Sequence, residues 1–417
     1  MNVRRGLDAT TMKTTAIMSI HKLYILACVG VMFSLIQGCS DDKGAKPQEK
    51  ASAIAGPLIV GVVGPETGEE AGYGMSVVNG VLAAAKRFNA QGGIAGQEIQ
   101  VIHFDDESNI ELTNKIVREL IGRKVIAILA APTGSSTFAP IHLVNESRTL
   151  FISVGSRRHL KASGPFVFRH AIPDEVATDD LIGYAVKGLG FANFALVTAA
   201  DNDFSLDLSS MFRKALVKHG GAIKVQADSY DTLTGSRNLG AVIGAMRKSP
   251  DPLHAVIYTG GASEGILLAQ EMRKAGMNFP LIGSEDLFSE AFLNSGDAVN
   301  GTLLYTSFSA DSKSPKMDEF IKDYGQNKPD RFAALAYDTF FLVAEATRAA
   351  GSTDAARIRE ALINRKDFEG VTGKTHFSPG NLPVKHPLIY GVEKTAGGER
   401  RFVMKSGTDS GSLSGAP

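Results

Sequence analysis

Two stretches decide the fold: LIVGVV at 58–63 and YGMSVVNGVLAAAKRFNA at 73–90. The first is an unbroken apolar run, which suits a strand buried on both faces. The second sets Met75, Val78, Val81 or Leu82, Ala85 and Phe88 at three- to four-residue steps, the spacing of a helix face. Strand then amphipathic helix is one βα unit, and the unit recurs. After a glycine-rich turn at 91–96, the pattern predicts a strand over 98–104, a helix over 110–123 and a strand over 125–130. A helix over 136–146 and a strand over 150–153 follow. Past Pro173 a second series begins. It predicts helices over 174–189, 206–219, 239–247 and 263–275, with strands over 194–198, 222–227, 254–258 and 279–282. Helices over 332–349 and 354–363 come next, and 370–377 and 388–392 are β-like. Repeated βα units predict two α/β lobes, each a doubly wound parallel sheet.

The chain has 417 residues, enough for two or three domains. Its 44% hydrophobic and 21% charged composition excludes a disordered chain. Lys+Arg 44 against Asp+Glu 44 leaves no global basic field, so no nucleic-acid partner is expected. Two cysteines exclude a disulfide scaffold and any multi-cysteine metal site.

The N-terminus reads as an address. Arg4, Arg5, Lys13 and Lys22 precede 23–36, a run without charge. That run falls short of the ~20 residues of a membrane span and suits a signal-peptide core. It ends in Leu35-Ile36-Gln37-Gly38-Cys39. A small residue before a cysteine here is similar to the bacterial lipoprotein cleavage box, with Gln37 a departure from its usual pattern. A plain signal peptide with an incidental cysteine is the alternative. Residues 1–38 are expected to be removed, leaving Cys39 lipidated and 39–56 as a flexible tether. The tail 406–417 is expected to be disordered.

Motifs of catalysis fail one by one. Gly373-Lys374-Thr375 resembles the end of a phosphate loop, but the glycine it needs is Phe368. Asp201-Asn202-Asp203 resembles a calcium loop, but Leu206 and Phe212 stand at its glycine and closing-acid positions. No H-x-x-x-H pair occurs. No catalytic residue, metal or cofactor is expected. Two loops remain. Pro132-Thr133-Gly134-Ser135-Ser136-Thr137 and Ser153-Val154-Gly155-Ser156-Arg157 each follow a predicted strand. Glycine admits a ligand to the backbone, and free N–H groups at a helix start attract anions. Ser136 and Ser153 also read as ordinary caps. Two such loops on consecutive strands favour an anion site at the carboxyl edge of the sheet.

Gly61-Val62-Val63-Gly64-Pro65, Ala71-Gly72-Tyr73-Gly74, Phe88-Asn89-Ala90-Gln91-Gly92-Gly93-Ile94-Ala95-Gly96 and Phe104-Asp105-Asp106 together resemble the branched-chain amino-acid binding proteins of ABC transporters. Phe151-Ile152-Ser153, Ile282-Gly283-Ser284-Glu285, Leu335-Ala336-Tyr337-Asp338 and Gly370-Val371-Thr372-Gly373 continue the likeness, which runs from Leu58 to Val403. The resemblance implies a type I periplasmic binding protein fold. Its lobes would be 57–173 plus 306–384 and 174–305 plus 385–405, joined by three chain crossings. It implies a ligand carboxylate held by Gly134, Ser135, Ser136, Gly155, Ser156 and Arg157, and a ligand ammonium held by Glu285. Tyr73 and Phe204 would be cleft aromatics. Tyr73 reads equally as an ordinary aromatic cap, and Glu285 as a solvated acid beside Asp286.

Many relatives have Ala-Thr where this chain has Ser156-Arg157. Arg157 is expected either to meet a second anionic group or to face solvent, as is expected of Arg158. A tyrosine of the second lobe is replaced near Ala262. The expectation is therefore an amino-acid-like or otherwise carboxylated ligand. The protein would be a lipid-anchored monomer of the bacterial periplasm, tied to the membrane by its lipid and serving an ABC permease. The alternative is a sensory module of the same fold reporting to a signalling partner.

Overall fold

The computed structural model describes residue 54 and residues 56–156, 163–200, 203–231, 235–325 and 328–407. The expected signal peptide, Cys39, nearly all of the tether, Arg157 and all but the first two residues of the tail lie outside them.

The first sheet comprises β1 (Ile59–Gly64), β2 (Gln100–Asp105), β3 (Ala127–Ala130), β4 (Phe151–Val154) and β5 (Val167–His170). All its pairings are parallel, in the order β2-β1-β3-β4-β5. Alternate side chains bury opposite faces, as the two-residue period of a strand requires. Val62, Leu129 and Ile152 face α1 (Ala71–Ala90) and α11 (Arg331–Ala350). Val63, Ile128 and Phe151 face α2 (Ile110–Gly122) and α4 (Ile141–Glu146). Phe88 of α1 meets Phe340 and Phe341 of α11 edge-on. Asn89 pins the turn beyond α1 by exchanging two 2.9 Å bonds with the backbone of Ile99, a structural use of that motif residue.

The second sheet has the order β18-β17-β12-β11-β10-β6-β7. Its strands are β6 (Asn193–Thr198), β7 (Ala222–Asp228), β10 (Ala255–Tyr258), β11 (Leu281–Gly283), β12 (Leu303–Thr306), β17 (Leu388–Lys394) and β18 (Arg400–Ser406). One face packs on α5 (Asp174–Gly183) and α6 (Asp203–His219), the other on α7 (Leu239–Arg247) and α8 (Ala262–Lys274). Three two-stranded ribbons lie apart from the sheets: β8–β9 (Tyr230–Asp231, Ser236–Arg237), β13–β14 (Glu369–Gly370, Gly373–Lys374) and β15–β16 (His376–Phe377, Pro383–Val384).

The architecture is thus the expected two-lobed α/β one, with several local differences. β17 and β18 are antiparallel, so the second sheet is mixed. Strands at 167–170, 303–306 and 400–406 go beyond the sequence patterning; Arg169 and His170 mask the first, and β18 is half polar. The helix expected over 136–146 is two pieces, α3 (Ser135–Phe138) and α4. Pro140 stands between them, lacking the N–H that a continuous helix needs. Helix α5 ends in a π-helical turn, Tyr184–Gly188. Helix α9 (Glu290–Leu293) is a single turn, and α10 (Pro315–Tyr324), capped by Ser314, packs Met317 and Phe320 into the first lobe. Helix α12 (Ala355–Asn364) lies beside α11.

The chain passes between the sheets three times. It leaves β5 at His170 and enters α5 at Asp174, returns between β12 and α10, and crosses again between β16 and β17.

Candidate functional site

The carboxyl ends of β3, β4 and β11 carry the expected site loops, because parallel strands send all their exits to one edge. Beyond β3 the chain closes on itself. Thr133 N–H donates to Thr137 Oγ1 at 2.8 Å, and Thr137 Oγ1 donates to the Ala131 carbonyl at 2.7 Å. Ser136 is buried, with its hydroxyl 3.0 Å from the Thr133 carbonyl and 2.8 Å from Thr133 Oγ1. Its side chain thus shapes the loop, in keeping with its reading as a local cap. Gly134 is exposed at φ +68°. Ser135 opens α3; its side chain, like Arg157, is outside the described residues.

Beyond β4, Gly155 has φ +84° and donates its N–H to the His170 carbonyl at 2.9 Å. Ser156 is buried beside it. A Cβ at Gly155 would lie 2.6 Å from the Phe332 ring and 3.6 Å from Pro132. The two loops and the start of α11 therefore meet at Gly155.

Phe332 is the centre of the group. Tyr73, in the first turn of α1, meets it edge-on with ring centroids 5.1 Å apart. Tyr73 is 43% exposed, so its ring reaches solvent beside a buried neighbour. The Arg331 guanidinium lies 4.6 Å over the same ring. Arg331 also reaches the second lobe. Its Nε is 3.8 Å from Glu285 Oε1, and a terminal nitrogen is 3.6 Å from Asp286 Oδ1.

Glu285 opens a 3-10 turn (Glu285–Leu287) directly after β11, with Ser284 as its cap. Its carboxylate is buried. Oε2 accepts from Ser307 N–H at 3.2 Å and from Ser307 Oγ at 2.9 Å. Ser307 lies on the second crossing, so this acid ties the turn to a segment joining the lobes. Asp286 is more open and accepts from Ser284 Oγ at 3.0 Å.

The structure therefore brings Tyr73, Gly155 and Glu285 into one group, with the 132–137 loop adjoining through Pro132. Phe204 is half-buried at the start of α6, where it packs on the cluster of Ile172, Leu208 and Phe212. Arg331, Phe332 and Ser307 are additions to the sequence reading. The sole signal for the first two is Asp330, a helix N-cap whose Oδ1 accepts from Ala333 N–H at 2.9 Å.

The crossings carry buried polar groups. Tyr305 donates to Asp174 at 2.6 Å at the first, and burial lowers the pKa of nearby Arg169, with Asp174 and Glu175 opposing. At the third, buried Lys385 donates to Thr372 Oγ1 and Thr375 Oγ1 at 2.7 and 2.8 Å.

Comparison with known proteins fits this geometry. Residues 57–397 match the family model described as periplasmic binding protein. The Leu/Ile/Val-binding protein homolog 3 of Brucella melitensis biotype 1 is 26% identical over 336 residues, 79% of this chain and 89% of that protein. Among solved structures, the branched-chain amino acid transporter substrate binding protein LivJ from Streptococcus pneumoniae, in complex with isoleucine, is similar at TM-score 0.65 and 24% identity. That likeness covers 84% of this chain and 100% of the other. A solute binding protein of an ABC transporter from Rhodopseudomonas palustris BisB5, in complex with 3,4-dihydroxybenzoic acid, gives 0.67 and 23%, covering 84% and 96%. With two α/β lobes and a family match across nearly all of the described residues, this chain belongs to the periplasmic binding proteins, a family that binds solutes for transport and is not a family of enzymes.

Proposed function

We propose that the protein is a lipid-anchored solute-binding protein that captures a small carboxylated molecule between its lobes and delivers it to an ABC permease. One observation carries this reading. Tyr73, Gly155 and Phe332 of one lobe and Glu285 of the other converge at the strand ends, with Arg331 spanning them. A ligand seated there touches both lobes and favours their closure. The N–H groups of Thr133 and Gly155 are used within the chain, so the backbone donors for its carboxylate would be those of Gly134, Ser135, Ser136 and Ser156. The ligands of the two solved structures above, isoleucine and 3,4-dihydroxybenzoic acid, share a carboxylate. The box ending at Cys39 supports a lipid anchor, and no helix among the described residues is long and apolar enough to cross a membrane.

A thermal-shift screen of amino acids and other small carboxylates tests the reading. A true ligand at one hundred times its Kd stabilises the fold by about 2.7 kcal/mol. The same ligand should lower the radius of gyration in small-angle scattering. A stabilising ligand that leaves the scattering profile unchanged speaks against a cleft between lobes.

A further inference from the structure

Arg331 is the first residue of α11, and its backbone is held by a cap. Asp330 Oδ1 accepts from Ala333 N–H at 2.9 Å, and Asp330 Oδ2 accepts from Ser76 Oγ at 2.8 Å. From this anchored start the guanidinium stacks over Phe332 and faces both acids that follow β11. The acids are already answered by the chain itself. Glu285 Oε2 takes two donors from Ser307, and Oε1 faces Arg331 Nε. Asp286 Oδ2 takes the Ser284 hydroxyl, and Oδ1 faces a terminal nitrogen of Arg331. A third nitrogen of the guanidinium donates to the Glu285 carbonyl at 3.5 Å.

We propose that Arg331 determines the ligand class: its guanidinium fills the place of a ligand ammonium, so the cleft selects a carboxylate that carries no α-ammonium. The inference rests on the reading of the cleft as the ligand site. Its physical basis is like-charge exclusion. An ammonium brought to Glu285 must come close to the cationic guanidinium of Arg331. Glu285 Oε2 is engaged by Ser307 and Oε1 sits at ion-pair distance from Arg331, so the newcomer competes for a carboxylate already in use. A hydroxyl or an aromatic edge meets no such repulsion, and a hydroxyl finds N–H donors on the guanidinium.

The test is calorimetry with matched pairs: L-leucine against 4-methylpentanoate, and L-phenylalanine against 3-phenylpropanoate. The full mature chain is compared with Arg331→Ala, Arg331→Gln and Tyr73→Ala, each checked for folding by its melting curve. The wild type should bind the acid of a pair at least tenfold more tightly than the amino acid. Both Arg331 variants should shrink or invert that preference, the glutamine variant serving if alanine disturbs the helix start. Tyr73→Ala should weaken both members of a pair alike. Equal or tighter binding of the amino acid by the wild type, still weakened by Tyr73→Ala, overturns the inference and leaves the cleft reading intact. So does a preference that survives both Arg331 changes. Binding that Tyr73→Ala does not touch, or no binding of any probe, overturns the cleft reading and the inference with it.

Discussion

Gly155 and Gly134 both sit in the left-handed region, yet they answer to different constraints. At Gly134, with φ +68°, nothing lies within 4 Å of an added Cβ, so an alanine there meets backbone strain alone. At Gly155, with φ +84°, the same Cβ would also press on the Phe332 ring at 2.6 and 2.9 Å. The ring cannot yield freely, because Tyr73 and Arg331 flank it. Gly155→Ala should therefore lower stability by about 1–3 kcal/mol and, if the proposed site is the ligand site, weaken binding through the displaced ring. Gly134→Ala should cost about 1 kcal/mol. Urea unfolding of both variants checks the order, and equal losses would show that Phe332 moves aside without penalty.

At the next scale, helix α11 joins the site to the crossings. It runs from the Asp330 cap to Gly351 in the left-handed conformation, and most of its residues are buried. Its first turn holds Arg331 and Phe332. Two turns later, buried Asp338 accepts from Val371 N–H and Thr372 N–H at 2.8 Å each and from Thr372 Oγ1 at 2.5 Å. Thr372 Oγ1 in turn accepts from Lys385 on the third crossing. Burial draws the Lys385 pKa down to about 8, with the charge of Asp338 opposing that fall. Burial pushes the Asp338 carboxyl up. Asp338→Asn should leave Lys385 as a buried cation without its counter-charge and cost about 3–5 kcal/mol. Adding Lys385→Met should recover part of that loss. A urea-denaturation double-mutant cycle reads the coupling, and simple additivity of the two changes would argue that the charges act independently.

For the whole molecule, the three crossings make acid stability a property of how the lobes are joined. His170 ends β5 at the first crossing and is fully buried. Thr339 donates its hydroxyl to the Leu335 carbonyl at 2.6 Å, so His170 Nδ1, 2.7 Å away, carries the proton toward Thr339 Oγ1. Its Nε2 has no partner among the described residues. Burial, with the charge of Lys385 adding to it, holds the imidazole pKa well below its usual value. In the unfolded chain it titrates near 6.5. Between those two values the unfolded state binds a proton that the folded state refuses. The contribution of His170 to folding stability should therefore be complete above about pH 6.5 and be lost as the pH drops below it. This residue alone contributes up to about 1.4 kcal/mol per pH unit. His170→Gln removes that contribution, so urea-derived stability between pH 7 and 5 should slope less in the variant. Parallel slopes would assign the acid sensitivity to carboxylates elsewhere.

Periodicity and punctuation carried a long way. An apolar run such as 58–63 can bury both its faces only inside a covered parallel sheet, and the helix face over 73–90 supplies the cover. These are local facts, so two α/β lobes and the loops after β3 and β4 were legible in residue order, whereas Glu285 was singled out by the family resemblance. Elements whose sense depends on neighbours were not. β5 carries Arg169 and His170, and β18 is a half-polar strand paired on one side, so neither shows a clean pattern. Lys385 reads as a surface residue until Asp338 and Thr372 are seen around it, because a buried lysine needs partners that its own neighbourhood in sequence does not hold. Arg331 and Phe332 look like the plain start of a helix. They reach Glu285 and Gly155 because parallel strands release their loops at one edge and the second crossing returns the chain to that edge. Strand and helix follow from contacts a few residues apart, whereas a site made across two lobes follows from where the crossings let distant segments meet.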